Sequence, residues 1–362
     1  MKICTITCHD VYNYGASLQA YALQRYLQEL GHQVRIIDYK PDYLSGHYRL
    51  SVANSSLVGN SKLLKLLYIM VKLPGRLLSR RRKYAFDRFR NKHLNLTPIR
   101  YTSYSELSAN PPDAECYFTG SDQIWNTTRP NGNDPAFYLM FVPDGAVRAS
   151  YAASIATDFI LEDSKPLMQR GVAELDHVSV RESTAIGQLA ELGVNEVVHV
   201  LDPVFLLPKE YWSEVAATRH DSNYVLVYDF EDSNEIKHIA MEYAKKHGIK
   251  IYGLSQGKYK YADKRFSHAG PADFLALIRN AKFVVTNSYH AIIFCIIFGV
   301  NFYTAGRTEG INIRMADLLA QFGLKMHEFI NTDLVDTTIQ KIVTDRLNHS
   351  KKYISMCLKS VK

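Results

Sequence analysis

Sulfur is scarce in this 362-residue chain. There are five cysteines (Cys4, Cys8, Cys116, Cys295 and Cys357), an odd and scattered set without a CxxC spacing. That argues against a disulfide framework or a zinc site and favours a reducing cytoplasm. No His/Cys/Asp grouping has metal-ligand spacing, so no metal is expected. The longest unbroken apolar run, AIIFCIIF at 291–298, falls far below the roughly 20 residues that span a bilayer. The opening MKICTITCHD has too short an apolar stretch, broken by His9 and Asp10, for a secretory leader. The expectation is a soluble, cytoplasmic protein.

What is present is bulk and tyrosine. The length exceeds one ordinary core, so two domains are expected, and 47% hydrophobic residues can fill them. Twenty-four tyrosines stand against two tryptophans. Such rings suit sugars, and equally suit half-buried packing. The net charge of +7 fits an anionic partner. Nucleic acid is not expected, because no helix-turn-helix, zinc-finger or aromatic-interleaved basic pattern appears.

Strand and helix patterns alternate. KICTITC and QVRIIDY read as strands flanking the helix GASLQAYALQRYLQELG, which Gly31 ends. Further strands are expected at 115–120, 148–154, 177–182 and 196–203. The pattern then restarts with strands at 224–230, 250–255, 282–286 and 300–306, interleaved with helices at 233–248, 271–281, 290–299 and 313–323. This predicts an α/β protein with two doubly wound (Rossmann-like) domains and a ligand in the cleft at the strands' carboxyl ends. The expected domains are 1–205, with a helical basic excursion at about 45–100, and 206–325, followed by a helical tail at 326–362. Within the excursion, Arg80–Lys83 are four consecutive basic residues. The stretch Arg76–Arg90 reads either as a solvated helix face or as a peripheral contact for anionic lipid or a lipid-diphosphate-linked substrate.

Four polar segments follow strands. TNSYH (286–290) opens a helix, and Asn287 or Ser288 can cap it, leaving free N–H groups that favour an anion; a capped helix with a half-buried His290 is the plainer reading. HDVYNYGAS (9–17) presents Asn13, Tyr14 and Gly15 at the first helix. GSDQIWNTT (120–128) sets Ser121, Asp122, Gln123 and Asn126 around Trp125, either as hydrogen-bonding groups about an aromatic platform or as a self-satisfied loop. SVRES (179–183) puts Arg181 at a strand end, suited to grip a carboxylate or phosphate.

The segments YNYGASLQAYALQRYL, TGSDQIWN, SYAASIA, SVRE, LDPVFLL and TNSYHAIIFCIIFG stand in the order seen in polysaccharide pyruvyl transferases. From residue 1 to about 325 the chain resembles that family. The resemblance implies a GT-B-like arrangement and transfer of the pyruvyl group of phosphoenolpyruvate onto sugar hydroxyls, giving a ketal and phosphate. Its partners would be phosphoenolpyruvate, as donor substrate with no further cofactor, and a sugar or oligosaccharide acceptor, lipid-linked or free. His290 matches the family's catalytic histidine and Arg181 its donor arginine. Where the family often has glycine after the histidine, this chain has Ala291, whose bulk is expected to reshape the acceptor side.

On this reading His290 protonates the enol carbon, and Arg181 with the helix N-terminus grips the donor. Arg314 is either a second clamp or a helix-surface arginine. Asp122 is the expected base, with Asp202 as a second candidate or simply a turn cap. The helix N-terminus disfavours imidazolium by up to about 2 kcal/mol. A donor anion about 4 Å away favours it by about 4 kcal/mol at an effective dielectric of 20. Donor binding should therefore make His290 a competent acid. A nucleotide-sugar glycosyltransferase, with Glu309 on the ribose, is the rival enzyme. A non-enzymatic carbohydrate-binding or assembly protein is the remaining alternative.

Overall fold

The computed structural model describes residues 1–44, 80–219, 221–254, 259–307 and 312–361. The first sheet runs β3-β2-β1-β4-β5, with β1 Lys2–Ile6, β2 Gln33–Tyr39, β3 Leu96–Tyr101, β4 Cys116–Thr119 and β5 Val147–Ser150, all parallel. Bridges Ala149–His177 and Ala153–Val180 carry it on to β6 Val178–Val180 and β7 Val197–His199. The second sheet runs β10-β9-β8-β11-β12-β13, with β8 Tyr224–Tyr228, β9 Lys250–Gly253, β10 Lys264–Arg265, β11 Phe283–Thr286, β12 Phe302–Thr304 and the antiparallel β13 Phe329–Ile330. In each sheet the chain winds one way from a central strand, then returns and winds the other way. The switch points are β1/β4 and β8/β11. This is the doubly wound α/β pair that the alternation predicts.

Helices cover the sheets. In the first half they are α1 Tyr14–Glu29, α2 at 80–93, α3 Tyr104–Ala109, α4 Lys165–Ala173 and α5 Thr184–Glu191. Then come α6 Lys209–Val215, α7 Asn234–His247, α8 Pro271–Arg279, α9 Tyr289–Phe298, α10 Asn312–Gln321 and α11 Thr332–Lys359. Asn13 caps α1 by accepting from Ala16 N at 3.2 Å. Buried residues occupy every position of α1 up to Gln24. The reason is double contact: Leu18 and Ala22 join one apolar core with Phe274 of α8 and Ile292 and Phe294 of α9. Helix α9, YHAIIFCIIF, is apolar on all sides because the second sheet, α1 and α8 enclose it. Tyr14 stacks on Phe274 with ring centroids 4.8 Å apart, tying the halves together at the cleft.

The pattern reading misses three strands. β3 carries Pro98, which suits an edge strand and hides it in an apparently irregular segment. β10 and β13 have only two residues each. The basic excursion proves partly internal. Arg90 pairs with Asp10 at 2.7 Å, Lys83 pairs with Asp87, and the Arg82 guanidinium lies 5.0 Å from the Phe86 ring. Arg80, Arg81 and Arg88 remain exposed, while Arg76 lies outside the described residues. The tail helix α11 returns to the first sheet, where Tyr353, Ile354 and Cys357 pack with Ile3, Phe118 and Tyr151. All five cysteines are free and buried. Among the described residues no helix is long and apolar enough to cross a membrane.

Candidate active site

Both switch points open on the same cavity, of about 100 Å³. Asn13, Tyr14 and Gly15 reach it from the end of β1, and Asp122 and Gln123 from the end of β4. Tyr228 and Phe230 come from β8, Asn287, Ser288, Tyr289 and His290 from β11, and Arg307, Arg314 and Met315 from beyond β12. Loops following central strands are where doubly wound sheets bind ligands.

At the cavity wall, Ser288 is the N-cap of α9, its hydroxyl accepting from Ala291 N at 3.4 Å. His290, the second residue of α9, is 8% exposed. Its Nε2 faces Asp202 Oδ2 at 3.5 Å. Its Nδ1 side lies against Gly15, where even one methyl carbon would sit 1.9 Å away. Asp202 in turn accepts from Arg181 Nη1 at 2.8 Å and caps its own turn by accepting from Val204 N at 3.1 Å. Burial pushes the Asp202 carboxyl pKa up, yet His290, then Arg181 and the Val204 N–H, bring it down to about 2.

Two arginines are buried here. Both guanidinium carbons lie over the Tyr289 ring, Arg181 at 4.6 Å and Arg314 at 5.7 Å from its centroid. For Arg181, Tyr289, Asp202, Glu182 and Asp122 outweigh burial and raise the pKa. For Arg314, burial and then the charge of Arg181 lower it to about 10. Arg314 Nε and Arg181 Nε and Nη2 are buried without hydrogen-bond partners. The Gln123 amide sits between Asn126 and Arg314. In one orientation its oxygen accepts from Asn126 Nδ2 at 3.1 Å, and in the other from Arg314 Nη1 at 2.9 Å and Nη2 at 2.6 Å.

The residues named from sequence do not all reach the cavity. Arg181, expected as a direct clamp, lies behind Tyr289 and Asp122, with its Nη2 3.9 Å from Asp122 Oδ1. Three carboxylates hold it there. Two arginines line the cavity: Arg307, which pairs with Glu231 at 3.3 Å, and the more deeply buried Arg314. Ser121 is fully buried, its hydroxyl donating to Ala152 O at 2.7 Å. Asn126 accepts from Thr128 N at 3.0 Å, as a self-satisfied loop does. Trp125 is no platform: it is buried, stacks on Tyr138 and donates to Phe137 O at 3.1 Å. Asn287 lines the cavity while its side chain accepts from Phe230 N at 3.0 Å and donates to Asp229 Oδ1 at 2.6 Å. Asp202 is the partner that sequence reasoning undervalued, since LDP reads equally as a turn cap and it is one. Glu309 lies outside the described residues.

A sequence model of the polysaccharide pyruvyl transferase family matches residues 13–307, more than half of the chain. The chain belongs to the polysaccharide pyruvyl transferase family. It is therefore a transferase of polysaccharide biosynthesis, and the cavity lies within the matched region. No curated protein matches the sequence. Among solved structures, this pyruvyl transferase family member is similar to a protein provisionally assigned as the UDP-N-acetylglucosamine 2-epimerase of Listeria monocytogenes. That likeness has 10% identity over 99% of this chain and 90% of that one, with a TM-score of 0.54. It is also similar to UDP-N-acetylglucosamine 2-epimerase of Rickettsia bellii, at 10% identity over 100% and 97% of the chains and a TM-score of 0.48. Similarity to the glycosyltransferase SsfS6 of Streptomyces sp. SF2575 is 14% over 99% and 96%, with a TM-score of 0.38. The first of these shows the two-domain Rossmann-like fold, and the fold alone.

Proposed function

We propose that the cavity binds phosphoenolpyruvate and transfers its pyruvyl group to two hydroxyls of a sugar in a polysaccharide acceptor, releasing inorganic phosphate. The observation that carries this reading is the pairing of His290 with a buried cation, Arg314, in one small cavity. Family membership supplies the pyruvyl chemistry. Arg314 is charged at neutral pH although burial and Arg181 oppose it. A bound anion would relieve that opposition. A carboxylate and a phosphate on a three-carbon frame suit a volume of about 100 Å³, below the 300–1,000 Å³ of drug-sized pockets. A whole nucleotide sugar would need more room.

In the proposed sequence, Arg314 and the N–H groups opening α9 hold the donor's anionic groups. Asp202 orients the imidazole through Nε2, and Nδ1, beside Gly15, delivers a proton to the terminal enol carbon. The adjacent carbon becomes cation-like, and a first sugar hydroxyl adds to it, losing its proton to Asp122. A second hydroxyl then displaces phosphate at the same carbon and closes the ketal, its proton leaving with the departing phosphate or through His290. Arg181 acts from behind Tyr289, as fixed positive potential and as the support of Asp202. The exposed Arg80, Arg81 and Arg88 would meet an acidic or lipid-linked acceptor, or an anionic membrane surface.

The test is incubation with phosphoenolpyruvate and galactose-, mannose- and glucosamine-containing acceptors, following phosphate and product mass. Phosphate release that requires an acceptor, with the matching ketal, supports the reading. Thermal stabilisation by a uridine diphosphate sugar and none by phosphoenolpyruvate would overturn it.

A further inference from the structure

Arg314 and Arg181 are like charges brought together from different domains, so some contact must hold them in place against repulsion. The partner lies one turn along α10. Asp317 follows Arg314 by three residues and shares its side of the helix. Asp317 Oδ1 accepts from Ser183 N at 3.2 Å and from the Ser183 hydroxyl, while its Oδ2 accepts from Gln321 Nε2 at 2.9 Å. Ser183 lies two residues past Arg181 and is the N-cap of α5, yet its own side chain makes no capping bond. Asp317 supplies the missing negative charge at that helix start from across the cleft. Beneath the pair, His199 Nε2 lies 3.0 Å from Arg181 O and 3.6 Å from Asp317 Oδ2. Arg346 of α11 approaches His199 Nδ1 at 3.1 Å.

The geometry points to Asp317 as a positioning residue for donor binding: its carboxylate fastens α10 to the Ser183 corner of the first domain and so fixes Arg314 beside Tyr289 and Arg181. This rests on the reading of the cavity as the donor site. Asp317 touches no reacting atom. Its effect passes through Arg314, and it should appear in donor affinity rather than in the chemical step. The bond is directional and charge-assisted, which distinguishes it from the apolar packing that merely joins the domains.

The experiment compares Asp317→Ala, Asp317→Asn, Ser183→Ala, Arg314→Met and the Asp317→Ala/Arg314→Met double variant. Each is read by steady-state kinetics with phosphoenolpyruvate and by thermal shift with phosphoenolpyruvate alone, which needs no acceptor. Asp317→Ala is expected to raise the phosphoenolpyruvate KM about tenfold, in the range of coupling between contacting groups, with kcat changed less than about threefold. Asp317→Asn, which keeps the Oδ1 acceptor for Ser183, should recover most of that loss, and Ser183→Ala should show part of it. The double variant should bind the donor no worse than Arg314→Met alone. An unchanged KM in Asp317→Ala, or a loss that adds in full to that of Arg314→Met, overturns the inference while the donor-site reading stands. If Arg314→Met itself leaves the phosphoenolpyruvate KM and thermal shift unaltered, the donor-site reading falls and the inference falls with it.

Discussion

Gly15 and His290 fit together so closely that a Cβ on residue 15 would lie 1.9 Å from Nδ1 of the imidazole and 2.4 Å from Cε1. Glycine here is a clearance: it leaves room for the Nδ1 side of the ring while Asp202 faces the opposite nitrogen at 3.5 Å. Gly15→Ala must push the ring out of place. Turnover is expected to fall about a hundredfold, the usual cost of misplacing a reacting group by about an ångström. Stabilisation by phosphoenolpyruvate in a thermal-shift assay should persist, because Arg314 is untouched. Normal kcat in Gly15→Ala would remove the imidazole from its assigned position.

Asp202 gives the fold an acid-sensitive joint. Its pKa, about 2, lies below the ordinary carboxylate value of 3.8, so the stability it supplies is present above about pH 4 and is lost as the pH falls towards 2. That shift corresponds to about 2 kcal/mol. Asp202→Asn leaves Arg181 buried without its main partner and should cost about 3–5 kcal/mol near neutrality. The difference in unfolding free energy between wild type and Asp202→Asn should narrow between pH 4 and 2. A gap that widens on acidification would contradict the sign of this interaction.

For Arg314 the sign is reversed. Burial and Arg181 lower its pKa to about 10, below the ordinary 12.5, so at neutral pH its charge opposes folding, by up to about 3 kcal/mol. Arg314→Met should therefore raise the melting temperature of the ligand-free protein while abolishing the gain produced by phosphoenolpyruvate. A variant that melts lower and still responds to the donor would exclude Arg314 from the binding site.

The two arginines should separate in experiment. Arg181→Ala strands Asp202, whose oxygen accepts from Arg181 Nη1 at 2.8 Å in a fully buried setting. Thermal stability is expected to drop by several degrees, with kcat lost as His290 loses its orientation. A rise in donor KM alone, with unaltered melting, would restore Arg181 to the direct clamp that sequence suggests.

Much of the architecture is legible in the pattern of residues. The apolar strands YVLVY and FVVT, and the Asn13 and Ser288 caps, announce parallel strands feeding helices, and a doubly wound sheet places its ligand beyond such strands. Less legible is which polar residue faces inward. Asn126, Ser121 and Trp125 stand in a motif-like cluster, but backbone groups of their own loop and its neighbours claim them. Arg181 looks available until the fold brings Asp202 and Asp122 from two other loops to join its chain neighbour Glu182. Asp202 reads as a turn cap because it is one; only tertiary structure adds Arg181 and His290 to the same carboxylate. Asp317 carries no local signal at all, since its partner Ser183 lies 134 residues away. The strand β3 hides behind Pro98, and the tail helix gives no hint in its periodicity that it packs back on the first sheet.

The most direct test of the central claim is the mass of a sugar acceptor incubated with phosphoenolpyruvate and the wild-type protein, set beside His290→Ala. The account predicts that the acceptor gains one pyruvate less one water, with one phosphate released per product, and that His290→Ala forms neither while still being stabilised by phosphoenolpyruvate. Equal product from wild type and His290→Ala, or a product carrying phosphate or a transferred sugar in place of the ketal, would contradict it.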